Sequence, residues 1–169
     1  MSMEVLSRGR EGNISSDGGP LHVGREEFLR RIGEDFAISR IYYPGSGFDD
    51  QLEEPLGKKK VFPLDQLRYI GMPNFVQGLM EHSPFLNEVF DAVFLHDIGA
   101  NKEELTDILR TLRPNGIVIH SFSDCCDFDL PLLEEHPQLV LLEGPYYNED
   151  FRVFRKQETA ASTNGVVSK

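Results

Sequence analysis

Apolar runs and amphipathic stretches alternate along the middle of the chain. The two clearest apolar runs cover residues 91–96 and 116–122, and such near-continuous runs are typical of strands buried on both faces of a parallel sheet. Between them, residues 102–112 place leucine and isoleucine at helical spacing, with Asn101 as the expected N-cap. This order of strand, helix and strand predicts a parallel βαβ unit.

Weaker patterns extend the alternation on both sides of this unit. They predict helices over residues 25–32, 48–56, 73–82 and 130–135, and strands over residues 38–43, 60–65, 138–143 and 151–156. Between residues 66 and 90 the pattern indicates one helix and no strand. Pro63 cannot donate to a strand ladder, which favours a position near the edge of a sheet. The last two strands are joined without a helix, so we expect them to be antiparallel.

The order of these elements predicts a single α/β domain. Alternating strands and helices form a doubly wound, mostly parallel, Rossmann-like sheet, here with an antiparallel strand towards the C-terminus. We expect the domain to cover residues 24–157, because residues 1–23 and 158–169 lack hydrophobic periodicity and are typical of flexible arms. A chain of 169 residues is long enough for one such core.

Composition narrows the expected partners and compartment. The formal net charge is −11, and an acidic chain repels phosphate backbones, so nucleic acid is not an expected partner. No apolar run approaches the roughly 18 residues that cross a bilayer, and residues 1–10 lack a secretory signal. We therefore expect a cytoplasmic protein without membrane contact. Cys125 and Cys126 are adjacent, which suits neither a disulfide nor a recognisable metal site, so no metal is predicted.

Polar residues directly after the predicted strands are the candidates for ligand binding, because ligands of doubly wound sheets bind beyond the carboxyl ends of the strands. Tyr43 is followed by a turn containing Gly45, Ser46 and Gly47, whose glycines allow backbone to approach a ligand closely. A plain strand-to-helix turn would give the same pattern. Asp65 lies 22 positions after Tyr43, where Rossmann-like sites hold ribose hydroxyls with a carboxylate.

His96 and Asp97 follow the central predicted strand and are the candidates for proton transfer. His96 could accept a proton, and Asp97 could act as a base or orient its neighbour. The structural alternative is that Asp97 caps the following helix and that His96 is a satisfied, half-buried histidine. His120 and residues 121–124, after the next strand, either line an acceptor pocket or serve the structure alone.

Four stretches together resemble the class I S-adenosylmethionine (SAM)-dependent methyltransferases. They are residues 41–49 (the glycine-rich first motif), 61–65 (the second strand with its ribose-binding acid), 91–97 (the fourth strand) and 109–119 (the start of the fifth strand). The final antiparallel pair also suits that family. The resemblance implies SAM as cofactor, bound by Tyr43, Gly45, Ser46, Gly47 and Asp65, with His96 and Asp97 as catalytic residues.

The sequence also departs from that family. The family usually has an acid at the position of Tyr43, a third glycine at that of Asp49, and a helix–strand–helix unit where only 25 residues separate Asp65 from Asp91. Two functions therefore stay open: methyl transfer to a small-molecule or protein acceptor, and a non-catalytic nucleotide-binding or partner-binding role. A shortened sheet edge would invite pairing with a second copy or another protein. A nicotinamide site is disfavoured, because Asp49 stands where its third glycine is needed.

Overall fold

The computed structural model of the protein describes residues 24–46, 52–57, 60–67, 73–96, 98–121, 130–146 and 150–158. They form an α/β domain built on one seven-stranded sheet. Both predicted arms lie outside these residues, apart from Glu158, and so do the predicted site residues Gly47 and Asp97.

The elements follow the alternation that the sequence predicts. In chain order they are α1 (Arg25–Asp35), β1 (Ile41–Pro44), β2 (Val61–Asp65), β3 (Val76–Gln77), β4 (Phe90–His96), α2 (Lys102–Thr111), β5 (Leu112–Ser121), α3 (Leu130–Glu134), β6 (Leu139–Leu141) and β7 (Phe151–Lys156). The strand order is β3-β2-β1-β4-β5-β7-β6. β7 is antiparallel to both neighbours, which confirms the predicted final pair, and β1 to β5 are parallel. None of the helices in the described residues is long and apolar enough to cross a membrane.

Both faces of the sheet are buried, as the continuous apolar runs indicate. Along β4, Ala92 and Phe94 pack on the side of α1, whereas Val93 and Leu95 pack on the side of α2. Successive side chains of a strand point to opposite faces, so one strand needs apolar residues at every position to fill both cores.

The first turn of α2 carries the predicted N-cap. The Asn101 Oδ1 atom accepts hydrogen bonds from the backbone N–H groups of Glu103 and Glu104 at 2.9 and 3.1 Å. The Glu104 carboxylate accepts one from the Asn101 N–H at 2.7 Å, which completes a capping box. Asn101 is thus the N-cap of α2, as predicted, and Asp97 lies outside the described residues.

The other end of α2 is completed by a lysine of the C-terminal strand. Lys156 Nζ donates to the carbonyl oxygens of Leu109 and Leu112 at 2.8 and 2.6 Å. Burial lowers the pKa of this ammonium. The two acceptors belong to the negative end of the helix dipole, which favours a cation there.

The predicted helix over residues 73–82 is wrong. Asn74 has a φ of +57°, which a right-handed helix does not allow. Val76 and Gln77 instead form β3, paired in parallel with the end of β2. A single 3₁₀ turn, Met80–His82, follows Gly78. The chain thus has a third strand between residues 66 and 90, where the pattern indicated none. In the predicted helix 48–56, the described residues form only one π-helical turn, Glu53–Gly57.

An arginine of α2 holds the link that leads from this 3₁₀ turn to β4. Arg110 Nη1 donates to the Phe85 carbonyl oxygen at 2.8 Å, and Arg110 Nε pairs with Asp107 Oδ1 at 2.8 Å. Asp107 Oδ2 in turn accepts from the Ser83 N–H at 3.1 Å. We call this set the Arg110 clamp. It fixes an irregular link between the 3₁₀ turn and β4.

β5 begins at Leu112, earlier than the predicted start at residue 116, and two contacts explain why. Arg113 Nη1 lies 2.6 Å from Asp91 Oδ1 in an ion pair. Gly116 runs so close to β4 that a Cβ atom would stand 2.9 Å from the Asp91 carbonyl oxygen. The Leu-Arg-Pro-Asn-Gly stretch therefore attaches β5 to the beginning of β4.

Candidate functional site

A cleft opens at the carboxyl ends of β1 and β2. The Gly45 N–H donates to the Leu64 carbonyl oxygen at 2.7 Å, so the turn after β1 is bound to β2. The described residues that line the cleft are Gly45, Leu64, Asp65, Gln66, Gly78, Leu79, Met80, Glu81 and Glu104. Its volume is about 210 Å³, which suits part of a ligand, since complete small-molecule sites measure about 300–1,000 Å³. The structure thus brings the glycine turn and Asp65 together.

Gly45 can be replaced by no other residue without strain. Its φ is +62°, in the left-handed region that side chains disfavour. A Cβ atom would also stand 2.7 Å from Ile98 Cγ2, in the loop after β4. The glycine therefore lets the turn after β1 pass directly against the loop after β4.

Ser46 supplies a buried hydroxyl beside this turn. The residue is 3% exposed, and its Oγ has no hydrogen-bond partner among the residues that the structure describes. A buried hydroxyl without a partner costs about 1–3 kcal/mol. A polar ligand atom at this turn would remove that cost. Gly47, the next predicted residue, lies outside the described residues.

Asp65 is held in a fixed orientation at the edge of the cleft. Its Oδ1 atom accepts a hydrogen bond from the Leu67 N–H at 2.8 Å, an Asx turn. Its backbone carbonyl accepts from the Gly78 N–H at 3.0 Å, which joins the loops after β2 and β3. The carboxylate therefore needs little reordering to receive a ligand hydroxyl.

Tyr43 lies in the core and not among the described residues of the cleft. It is 1% exposed, and its ring meets the Phe94 ring edge-on with centroids 5.2 Å apart. The Tyr43 side chain packs under the sheet surface on the α1 side. Tyr43 supports the turn from below.

Sequence reasoning missed the far wall of the cleft. Leu79, Met80 and Glu81 follow β3, and Glu104 reaches the cleft from α2. The sequence carries only a weak signal there, a run from Phe75 to residue 77 that is bounded by turn-forming residues and is too short to show a period. Leu79 and Met80 give the cleft an apolar wall, and Glu81 and Glu104 place carboxylates beside it.

His96 ends β4 and lies across from Ser121 of β5. Its Nδ1 atom is hydrogen-bonded to the Ser121 hydroxyl, and its ring stacks on Phe94 with centroids 5.6 Å apart. These two neighbours fix the ring. Because the ring is only half-buried, it still reaches the surface at the carboxyl end of β4. Asp97 lies outside the described residues. In the part of the chain that the structure describes, no three His, Cys, Asp or Glu side chains converge on a metal position.

Solved structures share this architecture. They include a 1,6-didemethyltoxoflavin-N1-methyltransferase from Burkholderia thailandensis with bound 1,6-didemethyltoxoflavin and S-adenosylhomocysteine (SAH), at 14% identity, a TM-score of 0.51, and 79% of this chain and 78% of that chain covered. A protein assigned as an O-methyltransferase from Klebsiella pneumoniae matches at 13% identity and a TM-score of 0.55, with 82% and 83% covered. One assigned as a caffeoyl-CoA O-methyltransferase from Staphylococcus aureus matches at 11% and 0.55, with 79% and 84% covered.

This chain has the class I methyltransferase fold. The strand order and the reversed β7 confirm at the level of the fold the resemblance seen in the sequence. No family model matches the chain, and no curated protein matches it in sequence. At identities of 11–14%, these likenesses establish the fold and leave cofactor and substrate to the local geometry.

Proposed function

We propose that this protein binds SAM in the cleft and transfers its methyl group to a small-molecule or protein acceptor. One observation carries the proposal: a class I methyltransferase fold brings the Gly45 turn and the Asp65 carboxylate to the same cleft. The bound SAH of the Burkholderia enzyme supports it, because that protein shares the fold. Ligands of doubly wound sheets bind beyond the carboxyl ends of the strands, where this cleft lies.

The residues of the cleft suit the parts of SAM. The Asp65 carboxylate would accept hydrogen bonds from the ribose hydroxyls, and the Ser46 hydroxyl would pair with a polar atom beside the turn. Leu79 and Met80 offer an apolar surface for the base. Gly47 stays a predicted cofactor contact. Glu81 adds negative charge, which favours a ligand that carries a sulfonium and an ammonium group.

His96 would position the acceptor and receive its proton. SAM supplies a methyl group on a sulfonium, which passes to the acceptor's lone pair while the carbon–sulfur bond breaks and its electrons stay on sulfur. In the tautomer whose Nδ1–H donates to Ser121 Oγ, the imidazole would accept the acceptor's proton at Nε2. The hydrogen bond between His96 Nδ1 and the Ser121 hydroxyl holds the ring in place. Asp97, next in sequence, stays a predicted catalytic residue.

Asp65→Asn should weaken SAH binding by roughly 10- to 100-fold, because an amide replaces the charge-assisted hydrogen bonds of a carboxylate. Isothermal titration calorimetry of the full chain with SAH measures this directly. Asp35→Asn is the matched control, since Asp35 is exposed at the end of α1 and away from the cleft. If the unchanged protein gave no heat and no thermal shift with SAM or SAH, the proposed function would be wrong.

His96→Asn should lower the rate of methyl transfer by about 10²-fold while leaving SAH affinity unchanged, because general-base catalysis contributes about 10²–10⁴. Transfer of labelled methyl from SAM to a panel of phenols, amines and organic acids gives the rate. His82→Asn, on an exposed histidine of the 3₁₀ turn, is the control. Equal rates for the two variants would make His96 a structural residue only.

A further inference from the structure

A guanidinium group lies at the same end of the sheet as His96. Arg25, the first residue of α1, places its Cζ atom 5.3 Å from the centroid of the Phe151 ring. Phe151 lies directly across from Ser121 in the antiparallel pairing of β5 and β7. Ser121 in turn lies across from His96 in β4. Aromatic side chains also connect these positions, since the Phe94 ring contacts both Phe151 and His96.

The Arg25 guanidinium has donors without acceptors. Its Nε and Nη2 atoms are buried and have no hydrogen-bond partner among the described residues. These two N–H groups share one edge of the planar guanidinium, and that edge can donate two parallel hydrogen bonds to a single carboxylate. The Phe151 ring lies against the face of the group, so the two unpartnered N–H groups are the ones that a carboxylate would satisfy.

Other arginines of this acidic chain form ion pairs with carboxylates of the protein itself. Arg30 pairs with Glu27 and Glu34 on α1, and Arg113 pairs with Asp91. The chain has 28 acidic residues against 17 basic ones, so carboxylates are abundant. An arginine whose Nε and Nη2 atoms are buried and pair with none of them within the described residues is suited to a carboxylate that comes from outside.

The position of Arg25 separates it from the cleft that would hold the cofactor. The Phe151 ring belongs to β7, three strands from β1 in the order β1-β4-β5-β7. Neighbouring strands are about 4.8 Å apart, so about 14 Å separate β7 from β1. β4, with His96 at its end, lies between the Gly45 turn and Arg25. A ligand held by Arg25 therefore approaches His96 from the side opposite to the cleft.

We propose that Arg25 binds a carboxylate of the methyl acceptor, so that the substrates of this protein are organic acids. The inference rests on the proposed function, because it assigns the second substrate of the same site. The Nε–Nη2 edge would hold the carboxylate, and the acceptor's nucleophilic atom would extend towards His96. The carboxylate binding adds no step to the transfer itself.

Fluorine NMR with two matched pairs of probes tests the proposal: 4-fluorobenzoate against 4-fluorobenzamide, and 4,4,4-trifluorobutyrate against its amide. Each probe is titrated into the full chain saturated with SAH, and line broadening gives its dissociation constant. We expect at least one acid to bind at least tenfold more tightly than its amide. Arg25→Gln should remove that preference, whereas Arg30→Gln, an exposed arginine on the same helix, should keep it.

Separate measurements distinguish the failure of this inference from that of the proposed function. Calorimetry with SAH alone tests the cofactor site, and circular dichroism shows that Arg25→Gln is folded. If SAH binds but acids and amides bind alike, or if Arg25→Gln keeps the acid preference, the inference is wrong and the cofactor site stands. If Arg25→Gln weakens SAH itself by tenfold or more, Arg25 serves the carboxylate of the cofactor, which also overturns the proposal.

Discussion

Asp91→Asn should lower the free energy of unfolding by about 2–4 kcal/mol, because it removes the charge from a buried group with four donors. Asp91 Oδ2 accepts from the Ser39 N–H at 2.7 Å, the Ser39 hydroxyl at 2.6 Å and the Arg40 N–H at 2.9 Å. Oδ1 pairs with Arg113 at 2.6 Å. The residue is 6% exposed, so water cannot replace these partners. Urea denaturation followed by circular dichroism measures the loss.

The same carboxylate gives this stability a pH dependence with a definite sign. Burial alone would raise the pKa of Asp91, but hydrogen bonds from Ser39 and Arg40 and the charge of Arg113 hold it below its ordinary value. A lowered pKa in the folded state stabilises the protein above the unfolded pKa of about 3.9 and loses that effect as the pH falls through the folded value. The difference between Asp91→Asn and the unchanged protein should therefore be constant near neutrality and shrink below about pH 4.

An exposed carboxylate supplies the control for this prediction. Asp35→Asn should change the free energy of unfolding by less than about 0.5 kcal/mol, since it removes an exposed charge. Asp91 lies at the amino end of β4, away from the cleft, so SAH binding by the folded Asp91→Asn protein should be unchanged. A stability difference that does not depend on pH would contradict the role given to the charge.

Gly45→Ala should lower the free energy of unfolding by about 2–4 kcal/mol and abolish measurable SAH binding. A left-handed φ of +62° costs an alanine about 1–2 kcal/mol. The new Cβ atom, 2.7 Å from Ile98 Cγ2, must push the loop after β4 away or move the turn itself. Movement of the turn would separate it from the Asp65 carboxylate. Chemical denaturation and calorimetry with SAH measure the two effects.

A second substitution separates the two causes of this loss. Ile98→Ala combined with Gly45→Ala should recover the part of the stability that the contact removes and leave the part due to the backbone angle. Gly99→Ala is the control, because a Cβ atom there would meet nothing within 4 Å. Gly45→Ala protein with unchanged stability and SAH affinity would show that the turn has no part in the site.

The sequence predicts those elements whose buried residues form a recognisable hydrophobic pattern. β4 and β5 are buried on both faces and read as continuous apolar runs, and α2 shows one apolar stripe behind a capping box. β3 could not be predicted in this way, because its two residues are too few to display a period. Its position depends on pairing with β2, and the link that follows it is held by the Arg110 clamp, which joins residues far apart in sequence.

The candidate site likewise contains residues that could be predicted from the sequence and residues that could not. Gly45 and Asp65 could be predicted because each directly follows a strand, and the carboxyl ends of adjacent parallel strands meet. Glu104 could not, because its place in the cleft depends on how α2 crosses the sheet. Nor could the burial of Tyr43, since on a strand covered on both faces a tyrosine can point to either core. The unpaired edge of Arg25 becomes visible only when all its neighbours are known.

The place of β7 in the sheet has a consequence for biosynthesis. It is the C-terminal strand of the domain, yet it lies between β5 and β6 and supplies the lysine that completes α2. Until residues 151–156 have left the ribosome and paired with β5, that strand has an open, apolar edge, and edges of this kind pair with other chains. The nascent domain is therefore most exposed to misassembly just before its completion, and a chaperone that shields the β5 edge would act in that interval.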